Sequence, residues 1–292
     1  MINYNEPLFR PPSEAYSLIF QVTLGCSWNK CAFCEMYTSK KFKVRKQEEI
    51  YNEIKEVAAI TQDVRKIFLA DANAMVLSSV KLLDILNELN NNFPRIRRVS
   101  AYALPKDISS KTDEELSELS KAGLKLIYVG IESGDDEVLK SVNKGETFNS
   151  TVDGLLKAKK AGIKSSVMIL NGLGGKKYSK QHAENSAKII NAIKPEFVST
   201  LVLSYPFGIA HFKKRYNSDF TPLNKLELIE EMEIFLKNLN LENSIFRSDH
   251  ASNYLVLKGI LNRDKETLLK NIRNVLNNPE SARFRQEWER GL

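Results

Sequence analysis

Sulfur and imidazole are scarce in this chain. Its 292 residues include three cysteines, three histidines and two tryptophans. So few cysteines exclude a disulfide framework, and an odd number set close together reads as metal ligation or redox chemistry in a reducing compartment. The histidines, His182, His211 and His250, stand far apart and far from the cysteines, which excludes the paired Cys/His spacing of common zinc modules. Long apolar runs are missing too: none approaches the roughly eighteen residues that cross a bilayer. The opening MINYNEPLFRPPSEAY lacks the basic start and apolar stretch of a secretory signal. The expectation is a cytoplasmic protein with no membrane partner. No low-complexity tract or evident linker interrupts it.

What is present suffices for a large core. Hydrophobic residues make up 42% of the chain, enough to fold without covalent staples. The net charge of +7 suits an anionic substrate or an RNA. The basic residues are scattered, however, with only small clusters such as Lys40 and Lys41 or Lys213 and Lys214. Scattered charge is the pattern of a solvated surface, so nucleic acid stays open as a partner but is not favoured.

Short β-branched runs alternate with amphipathic segments. Strands are expected at residues 17–23 (SLIFQVT), 66–70 (KIFLA), 98–102 (RVSAY), 125–130 (KLIYVG), 164–170 (KSSVMIL) and 197–203 (FVSTLVL). Residues 47–61 keep Ile50, Ile54, Val57 and Ala58 on one helical face, and residues 79–91 do the same with Val80, Leu83, Ile85 and Leu86. Thr112 and Glu115 form a capping-box signature. KAGLKLIYVGIESG, from Lys121, is echoed by KAGIKSSVMILNGLGG, from Lys160. Both begin with a helix-ending Ala-Gly and run through a strand into a glycine-rich turn. This spacing predicts parallel strands with right-handed helical crossovers. The fold class expected is α/β: a partial (β/α)6 TIM-like barrel of parallel strands with a C-terminal, mainly helical extension. The expected division is an N-terminal segment 1–15, a barrel 16–212 and an extension 213–292 packing on it. In the extension, helices are expected at 222–239 and 265–276 and a strand at 244–247. In such folds chemistry sits at the carboxyl ends of the strands.

The segment after the first strand reads GCSWNKCAFCEMY and holds Cys26, Cys31 and Cys34, the whole thiol supply. A zinc site would want a fourth ligand. A 4Fe–4S cubane usually takes four cysteines, and three leave one iron open to an outside ligand. Zinc, an iron–sulfur cluster and an inert thiol group all remain readings of the spacing alone.

This loop resembles the cluster loop of the radical S-adenosylmethionine (radical SAM) superfamily, and among its branches the loosely described Fe–S oxidoreductases, which share the G-I-E-S-G after the fourth strand. The usual pattern is Cys-x3-Cys-x2-Cys with an aromatic residue before the last cysteine. Phe33 fits, while the first gap is one residue longer, because Ser27, Trp28, Asn29 and Lys30 intervene. The resemblance spans residues 16–207 and implies a single 4Fe–4S cluster held by Cys26, Cys31 and Cys34, with S-adenosylmethionine on the open iron. It implies reductive cleavage to a 5′-deoxyadenosyl radical that abstracts hydrogen from an unknown substrate. It also implies an external one-electron donor such as flavodoxin or ferredoxin. Phe33 would lie against the adenine. Asp71 and Asn73 occupy the place of a Gly-Gly-Glu-like element after the second strand. Glu132 and Ser133 match the polar position after the fourth strand that binds ribose or the methionyl part. Asn171 and Gly172 stand where backbone meets adenine.

Other signals carry less. Gly172–Lys176 fails the phosphate-loop pattern, because residue 170 is leucine and residue 177 is lysine, and that lysine also breaks the dinucleotide fingerprint. His182 is expected in the first turn of a helix at 179–192, solvated or capping. Arg247, Asp249, His250 and Asn253 read as a satisfied turn, or as a group closing the barrel toward substrate. Tyr102 and Tyr205 end strands and could line a pocket. With three cysteines, the chain lacks the thiols that sulfur-donating members, auxiliary-cluster members and RNA methyltransferases with a catalytic cysteine require, and no cobalamin-binding domain is expected in the remaining length. Two rivals stand: a non-catalytic iron–sulfur or zinc scaffold, and an enzyme that modifies RNA or protein instead of a metabolite.

Overall fold

Each of the six expected apolar runs forms a strand in the computed structural model, which describes residues 2–291. The strands are β1 (Leu18–Gln21), β2 (Thr23–Leu24), β3 (Lys43–Val44), β4 (Lys66–Ala70), β5 (Arg98–Tyr102), β6 (Leu124–Glu132), β7 (Lys164–Asn171), β8 (Phe197–Val202), β9 (Ile245–Ser248) and β10 (Leu257–Ile260). The main helices among the crossovers are α1 (Gln47–Ile60), α2 (Ser79–Asn92), α3 (Pro105–Ser109), α4 (Asp113–Lys121), α5 (Asp136–Ser141), α6 (Phe148–Lys160), α7 (Gly175–Ile193) and α8 (Ile209–Arg215). Two more, α9 (Lys225–Asn238) and α10 (Lys265–Asn277), follow in the extension. The sheet runs β1-β4-β5-β6-β7-β8-β9-β10, while β2 and β3 form a separate antiparallel ribbon. Among the described residues no helix is long and apolar enough to cross a membrane.

The chain divides into two compact units. The first holds the residues up to Asn29, Cys34–Val129 and Asp153–Ser165. Here β1, β4, β5 and β6 pair in parallel, with Phe20 opposite Leu69 and Leu69 opposite Ala101. Four of the five residues of β4 are buried, which is the continuous apolar reading expected of a strand covered on both faces. Helix α1 buries Ile50, Ile54 and Ala58 as expected, while Val57, expected beside them, is half-buried. Helix α2 buries Leu82, Ile85, Leu86 and Leu89, a stripe at i, i+3, i+4 and i+7. Val80, expected on that face, is 69% exposed, because position 80 falls off this stripe. The capping box of Thr112 and Glu115 starts α4, and Gly123 and Gly162 take the positive φ that ends a helix before a strand.

The second unit holds Lys30–Phe33, Gly130–Val152 and the chain from Ser166 onward. Strands β7, β8 and β9 are parallel, and β10 turns back antiparallel to β9. The extension is mostly helical, yet it adds these two strands to the sheet, of which β10 had no sequence signal. Helix α7 packs on α9; α7 buries Ala183, Ala187 and Ile190, and α9 buries Leu228, Met232 and Phe235. A capping box of Asn224 and Glu227 starts α9.

Candidate active site

The β2–β3 ribbon carries the cysteine loop. Thr23 pairs with Val44 and Leu24 with Lys43, so the chain leaves and re-enters at one place. None of the three thiols is in a disulfide, and all are part-exposed. Asp71, fully buried just after β4, fastens the loop at both ends. Its Oδ2 accepts the Gly25 N–H at 3.0 Å, immediately before Cys26, and the Lys40 ammonium at 3.1 Å, six positions after Cys34. Lys40 also donates to the Asn5 carbonyl. Asp71 Oδ1 is buried and has no hydrogen-bond partner among the described residues. Buried charge and buried unmatched oxygen are both costly, so this arrangement holds only where its partners are fixed.

Two further groups shape the same stretch within the first unit. The Asn29 N–H points at Cys26 Sγ at 3.4 Å, and its side chain donates to the Tyr37 carbonyl at 3.0 Å. Burial pushes the Tyr37 hydroxyl up, and the charges of Asp71, Cys34 and Cys26 push it the same way. Tyr37 therefore stays a neutral phenol within electrostatic reach of two thiols. It lay inside the quoted loop but carried no recognisable signal beyond being aromatic. Asn73 is buried, with Nδ2 on Ser27 Oγ at 3.0 Å and on Asp107 Oδ2 at 2.5 Å, while Oδ1 accepts the Leu104 N–H at 3.3 Å. Its amide thus ties the loop to the start of α3. Tyr102 is a half-buried ring stacked edge-on with Phe68 at 5.1 Å.

In the second unit, residues 30–33 lie against α5 and α8. Ala32 donates to the Val142 carbonyl at 2.8 Å, and Arg215 donates to the Cys31 carbonyl at 2.7 Å. Phe33 packs against a core that includes Val138, Val142, Leu173 and Phe212, and the Lys144 ammonium sits 5.7 Å from its ring centroid. Lys144 pairs with Glu132 Oε1 at 3.2 Å, both side chains nearly without solvent. Glu132 closes β6 in a left-handed conformation, φ 67°, which is strained for a side-chain-bearing residue and is typical of functional positions. Gly130 makes room for it, since a Cβ there would lie 2.0 Å from Glu132 Oε1. Burial pushes the Glu132 carboxyl up, and Lys144 opposes that shift. Its Oε2 is buried with no hydrogen-bond partner among the described residues.

Ser133, Asn171 and Gly172 have different surroundings. Ser133 Oγ lies 2.7 Å from His182 Nδ1 and accepts the Asp135 N–H at 3.0 Å. His182 Nε2 is 3.8 Å from Glu231 Oε1, and Glu231 also takes the Gly172 N–H and the Ser179 hydroxyl, each at 2.6 Å. Burial pushes the Glu231 carboxyl up. Ser133 and the Gly172 N–H are therefore tied into a buried polar network. His182 is 1% exposed, not solvated, because α7 begins at Gly175 and this position faces inward. The Asn171 carbonyl accepts the Leu203 N–H at the end of β7. Arg247, Asp249, His250 and Asn253 form a largely satisfied turn: His250 Nδ1 accepts the Ser252 N–H, and Asn253 donates to the Thr200 carbonyl. Burial, then Arg285, hold His250 below the usual imidazole range.

Among the described residues no three His, Cys, Asp or Glu side chains form a cage for a single metal ion. The donor set on the loop is thiolate only, which suits iron–sulfur chemistry. The orphaned Glu132 Oε2 offers an acceptor to a ligand hydroxyl or ammonium.

The family model described as the radical SAM superfamily matches residues 20–190. An uncharacterized protein of Methanocaldococcus jannaschii, MJ1620, is 26% identical over 217 residues, covering 66% of this chain and 41% of that protein. A putative methylthiotransferase of the same organism, MJ0865, is 26% identical over 173 residues, covering 56% of this chain and 38% of its own length. The chain thus spans less than half of either relative. Coproporphyrinogen III oxidase (HemN) from Escherichia coli, described as a radical SAM enzyme, shares the fold with a TM-score of 0.58 at 16% identity, over 76% of this chain and 52% of that one.

Proposed function

The chain belongs to the radical SAM superfamily, whose enzymes use a 4Fe–4S cluster and S-adenosylmethionine, and from that premise we propose that it is itself a single-cluster radical SAM enzyme. The observation that carries this reading is one loop, fastened at both ends by Asp71, on which all three thiols of the chain reside. Cys26, Cys31 and Cys34 would hold the cluster. When bound, cluster and S-adenosylmethionine together supply a 5′-deoxyadenosyl radical that takes a hydrogen atom from substrate.

The chain's own residues prepare that chemistry. Asp71 and Lys40 hold the loop ends, and Asn73 holds Ser27. Phe33 offers an apolar face to the adenine. Glu132 Oε2 would accept a hydrogen bond from the ribose or the methionyl ammonium, with Lys144 fixing the carboxylate's other oxygen. The Asn171 and Gly172 strand end would border the adenine, while Ser133 would act through the network that shapes the strand-end turn. The electron comes from a partner such as flavodoxin or ferredoxin, and the compartment is the cytoplasm, where thiols stay reduced. Residues 16–212 form the catalytic barrel and 213–292 the extension.

Methylthio transfer, the activity in the name of one relative, is the second reading, on the strength of that 26% identity. It needs a sulfur source other than the three cluster thiols, since this chain has no further cysteine. The test is anaerobic reconstitution, followed by iron and sulfide analysis and assay of 5′-deoxyadenosine after dithionite reduction. Wild-type protein is expected to bind about four irons and release the nucleoside, and Cys31→Ala to stay folded while losing the iron. A fully loaded cluster that yields no 5′-deoxyadenosine would support a redox scaffold instead.

A further inference from the structure

Charge is scattered along most of this chain, yet residues 36–47 hold five cations, Lys40, Lys41, Lys43, Arg45 and Lys46, and no carboxylate. The stretch begins two positions after Cys34, contains β3 and lies wholly in the first unit. The ribbon brings it back to the start of the cysteine loop. Lys43 pairs with Leu24, two positions before Cys26, and the Arg45 N–H donates to the Val22 carbonyl at 3.1 Å. A Cβ on Gly25 would meet Lys40 Cβ at 3.2 Å, so the run lies against the residue that precedes Cys26.

The five cations are of two kinds. Lys40 and Arg45 are spent on the fold. Lys40 is buried against Asp71, while Arg45 grips both oxygens of Glu53, at 2.9 and 2.7 Å, and donates to the Gln21 carbonyl at 3.1 Å. Lys41, Lys43 and Lys46 are exposed, and none of the three is in an ion pair among the described residues. The acids next in sequence are Glu35, Glu48 and Glu49, and Glu49 faces Arg45 at 3.7 Å. Met36, 39% exposed, adds one apolar side chain. Unpaired charge of one sign with little apolar area suits a transient, electrostatically steered encounter, and electron-transfer encounters bury less than about 1,200 Å².

We propose that the β3 stretch, through Lys41, Lys43 and Lys46, is the docking surface for an acidic one-electron carrier of the flavodoxin or ferredoxin type. Electron transfer weakens steeply with distance, so a carrier has to dock beside the loop that holds the acceptor. The carrier gives up one electron and is oxidised; the 4Fe–4S cluster proposed above gains that electron, and no bond forms or breaks. The transfer rests on the radical SAM reading, whereas the binding of the carrier does not. A single RNA strand would want aromatic faces to stack on, and here Tyr37 is buried and Phe42 half-buried.

The experiment compares the 292-residue chain with the Lys41→Glu, Lys43→Glu, Lys46→Glu triple variant. Calorimetric titration of the cluster-free proteins uses an acidic flavodoxin, an acidic plant-type ferredoxin, the basic cytochrome c and a polyuridine strand. Wild type is expected to bind at least one acidic carrier, more weakly as salt rises, and to ignore cytochrome c. The triple variant is expected to bind that carrier about tenfold or more weakly with an unchanged melting temperature, because it loses the steering charges and no fold contact. After reconstitution, 5′-deoxyadenosine release driven by the reduced carrier is expected to fall by a similar factor, while release driven by dithionite and the iron content stay the same. Carrier binding that survives the charge reversal, an equal fall with dithionite, or polyuridine binding through these lysines with neither carrier bound would overturn the assignment. Protein that releases the nucleoside with dithionite yet binds neither carrier sinks the docking surface alone. Protein that binds a carrier through the three lysines but releases no nucleoside with either reductant sinks the radical reading alone.

Discussion

Lys40 and Asp71 lie 31 residues apart and meet with almost no solvent around either. Removing one member of a buried pair strands the other charge, at a cost of about 3–5 kcal/mol. Lys40→Met is therefore expected to lose stability on that scale by urea denaturation, and adding Asp71→Asn to recover part of it; equal losses in the single and double variants would count against the pair. Glu132 invites a ligand test, because one oxygen is spent on Lys144 and the other is unmatched. Glu132→Gln keeps the volume but weakens a charge-assisted bond. It is expected to raise the dissociation constant for S-adenosylmethionine about tenfold with iron content unchanged. Unchanged affinity by calorimetry would remove Glu132 from the site. The clustering of the cysteines and Phe33 was legible in the sequence because it is local. Lys40 and Lys144 were not, since a lysine in a chain of scattered charge gives no sign of which carboxylate it will meet.

At the scale of elements, strands and capped helices followed from period and punctuation. The runs at residues 66–70 and 98–102 became β4 and β5 with those bounds, and Thr112 capped α4 as its spacing required. What failed did so because tertiary packing decided it. Val80 was placed on a helical face with Leu83, Ile85 and Leu86, but the stripe that α2 presents passes through Leu82 instead. His182 was read as a helix-start residue, yet α7 begins several residues earlier and turns it inward to Ser133 and Glu231. That network has a pH signature. Burial holds the Glu231 carboxyl protonated above the ordinary carboxylate range, so the folded state binds more protons than the unfolded chain there. This contribution is present below pH of about 4.3 and is lost as pH rises toward the folded-state value. Glu231→Gln is expected to flatten the fall in melting temperature from pH 5 to pH 8 relative to wild type. An unaltered slope would show that Glu231 does not control it.

For the whole molecule, residues 213–292 are built into the second unit. They supply β9, which pairs with β8, and α9, which packs on α7 and places Glu231 on the Gly172 N–H. Truncation after residue 212 should expose the apolar face of α7 and yield insoluble or poorly folded protein. A soluble truncated chain with a sharp thermal transition would show that the extension is dispensable. Sequence reading saw two helices and a strand here but treated them as an appendage, because the helix that α9 packs on lies more than thirty residues upstream and leaves no mark within the segment itself.

Asp71 grips the cysteine loop with protein groups alone, a backbone amide on one side and a lysine on the other. If the proposed cluster does sit on this loop, anchors made of protein would let an enzyme stripped of its cluster by oxygen be rebuilt with iron, sulfide and electrons and without a new polypeptide.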